Sequence, residues 1–244
     1  IVDAGPPSIV LETPKNNTWT SSKTFYYTPY DNNLYSCEYW DNSTGTFSVR
    51  KIDYSVTSGI INSITINLSD ADYFWNIKCE DGAYNFGFGA LNWTVHIDTT
   101  APSFPYIQIP AVNTSSGNIT LNVNVSSTRD DIDKVWLMIN YNGTYFITGS
   151  YANFTISSYA GSVTNRKYNY TISSENLSSS ETIRYVWYAN DTVGNIGNTG
   201  SLSFTVSPIC GNGLCEDGET CSPDCGTGGG PSGGGSGTDN SGET

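Results

Sequence analysis

At 244 residues the chain is long enough for two domains of about 100 residues each, a size at which a β-sandwich buries a self-sufficient core. Its formal net charge of -13 argues against nucleic acid as a partner, because phosphates are bound through Lys and Arg that release counterions. Charged residues are only 14% of the chain, so the polar surface must come from Asn, Ser and Thr; no apolar run of about 20 residues occurs, so no membrane span is expected in this chain, which reads as a processed product or an excised piece.

Strand-like runs of alternating apolar residues recur along the chain, and none carries helical periodicity. In the first half they fall at 8–12, 23–28, 34–40, 47–52, 63–68, 73–79 and 91–97, and in the second at 106–109, 118–125, 134–141, 145–156, 167–172, 183–189 and 201–206. Seven strands suffice for a sandwich, so an all-β chain of two sandwiches is expected over 1–98 and 99–208. A small cysteine-rich module follows at 209–226, and 227–244 is read as a flexible Gly/Ser tail. The halves repeat: Asp3 stands four residues before Pro7 as Asp98 does before Pro102, and CEDGAYN at 79–85 aligns with ANDTVGN at 189–195.

The phrases WYANDTVGN at 187–195 and DTTAP at 98–102 resemble the immunoglobulin-like or fibronectin-III-like repeats of archaeal and bacterial cell-surface proteins. The run CGNGLCEDGETCSPDC at 210–225 is similar to a CGNGxCExGExCxxDC element found beside such repeats in archaeal surface proteins. The resemblance implies two tandem immunoglobulin-like sandwiches and a role outside the cell, as stalk, adhesin, filament subunit or spacer beside a catalytic module; fold alone does not choose among these.

Twelve Asn-X-Ser/Thr acceptors occur, at Asn16, Asn42, Asn67, Asn92, Asn113, Asn118, Asn124, Asn142, Asn153, Asn169, Asn176 and Asn190. Composition alone produces some of these, but their phase argues for use. From Asn118 to Val125 the apolar residues alternate with Asn118, Thr120, Asn122 and Asn124, so both acceptors are expected on the wet face of a strand. Glycans there would hydrate the surface and block adventitious edge pairing.

Six cysteines fit an oxidising compartment. Cys37 and Cys79 fall on the third and sixth expected strands, neighbours in one sheet of an immunoglobulin-like sandwich, where a cross-strand disulfide is expected; Ala189 holds the matching place in the second half. Cys210, Cys215, Cys221 and Cys225 crowd a segment too short for an apolar core, so two disulfides are expected, with tetrathiolate zinc as the alternative.

Acidic loops offer a calcium site as the alternative to ordinary Asx turns. Asp130, Asp131 and Asp133 are expected at the same end of a sandwich as Asp191 and Asn195, and Asp31, Asn32 and Asn33 at that of Glu80, Asp81 and Asn85. The set with Asp130 and Asp191, in the second sandwich, is expected to face the linker at Asp98. Glu216, Asp217, Glu219 and Asp224, interleaved with the last cysteines, pose the same choice.

No catalytic pattern is present. The single histidine, His96, is expected as an exposed strand residue; GxSxG and HExxH are absent, and the Gly-rich tail lacks the Lys and Ser/Thr of a phosphate loop. Trp75, Trp93, Trp136 and Trp187 are expected in the core, while Trp19 and Trp40 lie nearer loops. The expected function is that of a non-enzymatic, extracellular, cell-surface structural protein, a filament subunit or stalk segment whose partners are copies of itself, other envelope proteins and its own N-linked glycans. No cofactor is expected beyond the open question of calcium. The alternatives are an adhesin or glycan-binding module, or an accessory region of a larger secreted enzyme. Residues 1–12 are either the first strand of this chain or a strand donated to a neighbour.

Overall fold

The structure, a computed structural model, describes residues 5–110, 118–129, 131–140, 152–162, 165–177 and 181–207. Among the described residues the chain is all-β apart from one 3-10 turn at Ser174–Asn176. It separates into two units: among the described residues, the first takes those up to Ala101 with Thr192–Asn195, and the second takes the rest from Pro102.

The first unit holds β1 (Ser8–Thr13), β2 (Thr18–Thr20), β3 (Thr24–Tyr30), β4 (Leu34–Asp41), β5 (Ser48–Asp53), β6 (Asn62–Thr65), β7 (Ala71–Asp81), β8 (Phe86–Phe88) and β9 (Trp93–Ile97). One sheet runs β1-β3-β6; the other runs β2-β9-β7-β4-β5, with β8 also on β7. Alternation sends Ile9, Leu11, Phe25, Tyr27 and Ile64 inward from the first sheet, and Tyr39, Trp75, Ile77, Val95 and Ile97 inward from the second. Each large side chain so buried contributes about 1.5–3 kcal/mol.

β1 pairs antiparallel with β3 of its own chain, Ser8 opposite Tyr30 and Leu11 opposite Tyr27. Of the two placements expected for this segment, the structure has the chain's own first strand: Ile9 and Leu11 complete the core of their own unit.

The second unit holds β10 (Ser103–Gln108), β11 (Ile119–Ser126), β12 (Ile132–Asn140), β13 (Ala152–Thr155), β14 (Ala160–Ser162), β15 (Asn165–Ile172), β16 (Thr182–Asp191), β17 (Ile196–Asn198) and β18 (Leu202–Thr205). Its sheets run β10-β11-β15-β14 and β13-β12-β16-β17, with β18 also on β16. Leu121, Val123 and Tyr168 meet Leu137, Ile139, Tyr185 and Trp187 between them.

Cys37 and Cys79 face one another across β4 and β7 and form a disulfide buried in the core. In the second unit the corresponding pair is Val135 opposite Ala189, which fills the place with apolar side chains and no cross-link. The cysteines at 210, 215, 221 and 225 lie outside the described residues.

Of the tryptophans expected in the core, Trp136 needs correction and Trp93 packs against the core at its margin. Trp136 is not core: its neighbours Val135 and Leu137 point inward, so Trp136 faces the other way and stacks on Tyr188 at 5.3 Å. Trp93 is half-buried, its edge against Trp75 at 5.7 Å.

Candidate functional site

The acceptor asparagines are positioned by the strands. In the first unit, Asn16 follows β1, Asn42 follows β4 and Asn92 precedes β9. The side-chain oxygen of Asn16 accepts from the Thr94 amide at 2.8 Å, and that of Asn42 from the Phe74 amide at 2.9 Å. A backbone N–H can only donate, so each bond fixes which end of the side-chain amide faces the sheet.

For Asn92 the argument takes one more step. The Ile77 amide donates to Oδ1 of the buried Asn76 at 2.8 Å, which turns Asn76 Nδ2 toward Gly89 O at 3.1 Å and Asn92 Oδ1 at 2.9 Å. In all three, therefore, Oδ1 is held by the fold and Nδ2, the atom that carries a sugar, is turned from the donor. Among the described residues nothing accepts from Nδ2 of Asn16, Asn42 or Asn92. Asn67, just beyond β6, is exposed.

In the second unit the outer face of β11 and β15 is a polar ladder. Thr120 meets Thr171 with hydroxyls 3.0 Å apart, Asn122 stands opposite Asn169, and Asn122 Nδ2 donates to Gln108 Oε1 at 2.9 Å. Asn118 and Asn169 are exposed at this face, and Asn118 Oδ1 accepts from the Ser174 amide at 3.1 Å. Asn124, opposite Lys167, differs: it points away from the core but is half-buried, with Oδ1 covered. Asn176 lies in the 3-10 turn and Asn153 on β13. Asn190 uses both amide hydrogens, on Asp133 Oδ2 and on the Asp191 carbonyl, each at 3.2 Å. Asn113 and Asn142 lie outside the described residues.

Beside these acceptors the first unit carries an aromatic sheet face that the alternation rule alone does not reveal. Trp40 lies 5.5 Å from Phe88 and 5.9 Å from Phe47, ring centre to ring centre. Its indole N–H donates to Glu38 Oε2 at 2.8 Å, Lys78 pairs with the same oxygen at 3.5 Å, and the Lys78 ammonium sits 4.8 Å from the centre of the Phe86 ring. Phe86, Phe88 and Leu91 are exposed at 60%, 41% and 73%. A shallow concavity of about 370 Å³ is lined by Phe47, Phe88, Ala90, Leu91 and Asn92. The signal in the sequence was Phe86-Gly87-Phe88, two aromatics at period two in a strand of only three residues.

The acidic loops are held largely by their own turns. The Gly82 amide donates to Asn33 O at 2.8 Å, so the loops around Asp31 and Asp81 do meet at one end of the first unit. Asp31 Oδ1 accepts from the Asn33 amide at 2.7 Å. Asp81 is buried and accepts from the amides of Ala83 and Asn85 and from Asn85 Nδ2 at 2.8–2.9 Å. Burial pushes its pKa up, but the bonds from Asn85 and Ala83 outweigh that and hold the carboxyl below its ordinary value.

In the second unit Asp130 lies outside the described residues. Asp131 is hydrogen-bonded by the Ser127 hydroxyl, and Arg129 reaches it at 3.3 Å. Asp191 is buried, opposite Ile132, with a carboxylate oxygen within 4.8 Å of one of Asp131. Asp133 is held by Asn190, and Asn195 groups with the first unit.

His96 is more enclosed than expected. Its strand, β9, pairs in parallel with β2, which places Trp19 opposite His96, and the rings stack at 4.4 Å. Nδ1 lies 2.6 Å from Asp72 Oδ1 and Nε2 3.0 Å from Asn17 Oδ1, leaving the side chain 14% exposed. The ring is used to pin β2 to the sheet edge.

No helix among the described residues is long and apolar enough to cross a membrane. No family model matches the sequence, and no curated protein does. Among solved structures the chain is similar to fibronectin(III)-like modules of Clostridium thermocellum CbhA, at 10% identity over 82% of this chain and 94% of that one, with a TM-score of 0.41. It is also similar to the FN1-FN3 domains of chicken CNTN1, at 11% identity over 84% and 70% with a TM-score of 0.43. A third likeness is to a 1.5-MDa bacterial ice-binding adhesin, at 13% identity over 85% and 66% with a TM-score of 0.38.

Proposed function

We propose that this chain is a non-enzymatic, N-glycosylated structural protein of the cell surface, serving as the subunit of an extracellular filament or a segment of a stalk. One observation carries the reading: acceptor asparagines of both units stand on outer surfaces, and in Asn16, Asn42 and Asn92 the fold holds Oδ1 and turns Nδ2 away. A buried disulfide in the first unit fits the oxidising exterior that such a role requires. Its partners are copies of itself or other envelope proteins, and the resemblance of its repeats favours an archaeal envelope.

A glycan-binding adhesin is the second reading, favoured by the exposed aromatics Phe86 and Phe88 beside Trp40. Electron microscopy of native cell surfaces, with antibody against this chain, separates the cases. Label along regular filaments or on stalks supports the structural reading. Label absent from the surface, with the chain recovered only as free secreted protein, overturns it.

A further inference from the structure

We propose that the sugar chain on Asn92 folds back over the aromatic face of the first unit and occupies the concavity between Phe47, Phe88 and Leu91. The inference rests on the glycan-acceptor reading above and names what that glycan touches.

Asn92 is itself part of the wall, so a sugar on its side chain starts next to the concavity. The Ile77-Asn76-Asn92 relay of hydrogen bonds fixes the side chain that bears it. The open space, about 370 Å³, lies within the range of small-ligand sites. Its chemistry suits a pyranose: aromatic faces for the C–H side of the ring, and Gly89, Ala90 and Leu91 adding bulk no larger than a leucine. No charged residue lines the concavity; the Glu38–Lys78 pair, and Glu80 opposite Phe86, stand beside it on the same face, so a neutral occupant meets no charge in the walls even though the whole chain carries -13.

Tethering decides between occupants. A covalently attached sugar reaches the concavity at a millimolar effective concentration, as do short flexible linkers in general, and needs no protein partner. A protein docking on Phe88 and Leu91 would have to displace or avoid that glycan. The consequence is that an exposed aromatic cluster of the first unit is screened from adventitious association without being rebuilt in polar residues.

The test is hydroxyl-radical footprinting of the glycoprotein from native cells, read by mass spectrometry alongside occupancy at Asn92. Asn92→Gln removes the sugar but alters the acceptor of Asn76; Thr94→Ala removes the acceptor motif and keeps Asn92. Both variants are expected to raise labelling of Phe47, Phe88 and Leu91 several-fold, whereas Asn67→Gln leaves it unchanged. If Asn92 carries a sugar and labelling does not rise in either variant, the inference is overturned and the glycan-acceptor reading stands. If native Asn92 carries no sugar, the acceptor reading fails at this residue and the inference falls with it.

Discussion

A Cβ at Gly87 would lie 2.1 Å from the carbonyl oxygen of Pro7, and in the second unit a Cβ at Gly197 would lie 2.1 Å from the carbonyl oxygen of Pro102. The strand that follows β7, and its counterpart after β16, pass so close to the start of each unit that only glycine fits. Pro7 and Pro102 are the residues whose spacing marks the repeat in the sequence. Gly87→Ala and Gly197→Ala are each expected to destabilise their own unit by about 2–3 kcal/mol, the cost of overpacking against backbone that cannot yield. Hydrogen exchange by mass spectrometry checks this, with protection lost in the substituted unit.

Removing the disulfide acts on the first unit alone. Cys37 and Cys79 are separated by 42 residues, and opening a loop of that length costs about 4 kcal/mol in the chain-entropy account. A Cys37→Ala/Cys79→Ala variant is expected to unfold the first unit at lower urea, with the Val135–Ala189 unit unmoved.

Tyr185 is buried, and among the described residues its hydroxyl has no hydrogen-bond partner; burial pushes its pKa up to about 12. Tyr185→Phe leaves the ring and discards an unsatisfied group, so it is expected to stabilise by about 1 kcal/mol. Thermal denaturation reads the shift.

Acid stability follows from two carboxyls held below their ordinary range. Asp70 is lowered first by the Thr100 hydroxyl, against the opposing effect of burial, and then by Thr99; Asp81 is lowered, against burial, by Asn85 and Ala83. A depressed carboxyl stabilises above its unfolded pKa of about 4 and loses that contribution as pH falls through the lower folded value. The urea midpoint is therefore expected to hold from neutrality to about pH 5 and to decline below about pH 4. Asp81→Asn should flatten the decline.

Asp31 and Asp81 are engaged with their own turns and Asp131 with Arg129, so removing calcium is expected to leave melting unchanged. A fall in melting temperature on chelation, restored by calcium alone, would establish the cation reading.

Where the sequence was legible, the pattern was long: β4, β7, β11 and β16 run eight or more residues, and their parity placed Cys37 opposite Cys79. It was illegible where strands are three residues long. β2 and β8 carry too few positions to show a period, which hid the Trp19–His96 stack and the aromatic face together. Trp136 was misplaced by hydrophobicity although parity with Val135 and Leu137 would have turned it outward. Asn190 satisfies the acceptor motif, yet Asp133, brought alongside only by the pairing of β12 with β16, takes one of its amide hydrogens.

The most direct test is site-resolved mass spectrometry of the protein taken from its native cell surface. The account predicts masses well above the 26.4 kDa of the bare chain, with sugars on Asn16, Asn42, Asn67, Asn92, Asn118 and Asn169 and none on Asn190. A single species at the unmodified mass would contradict it.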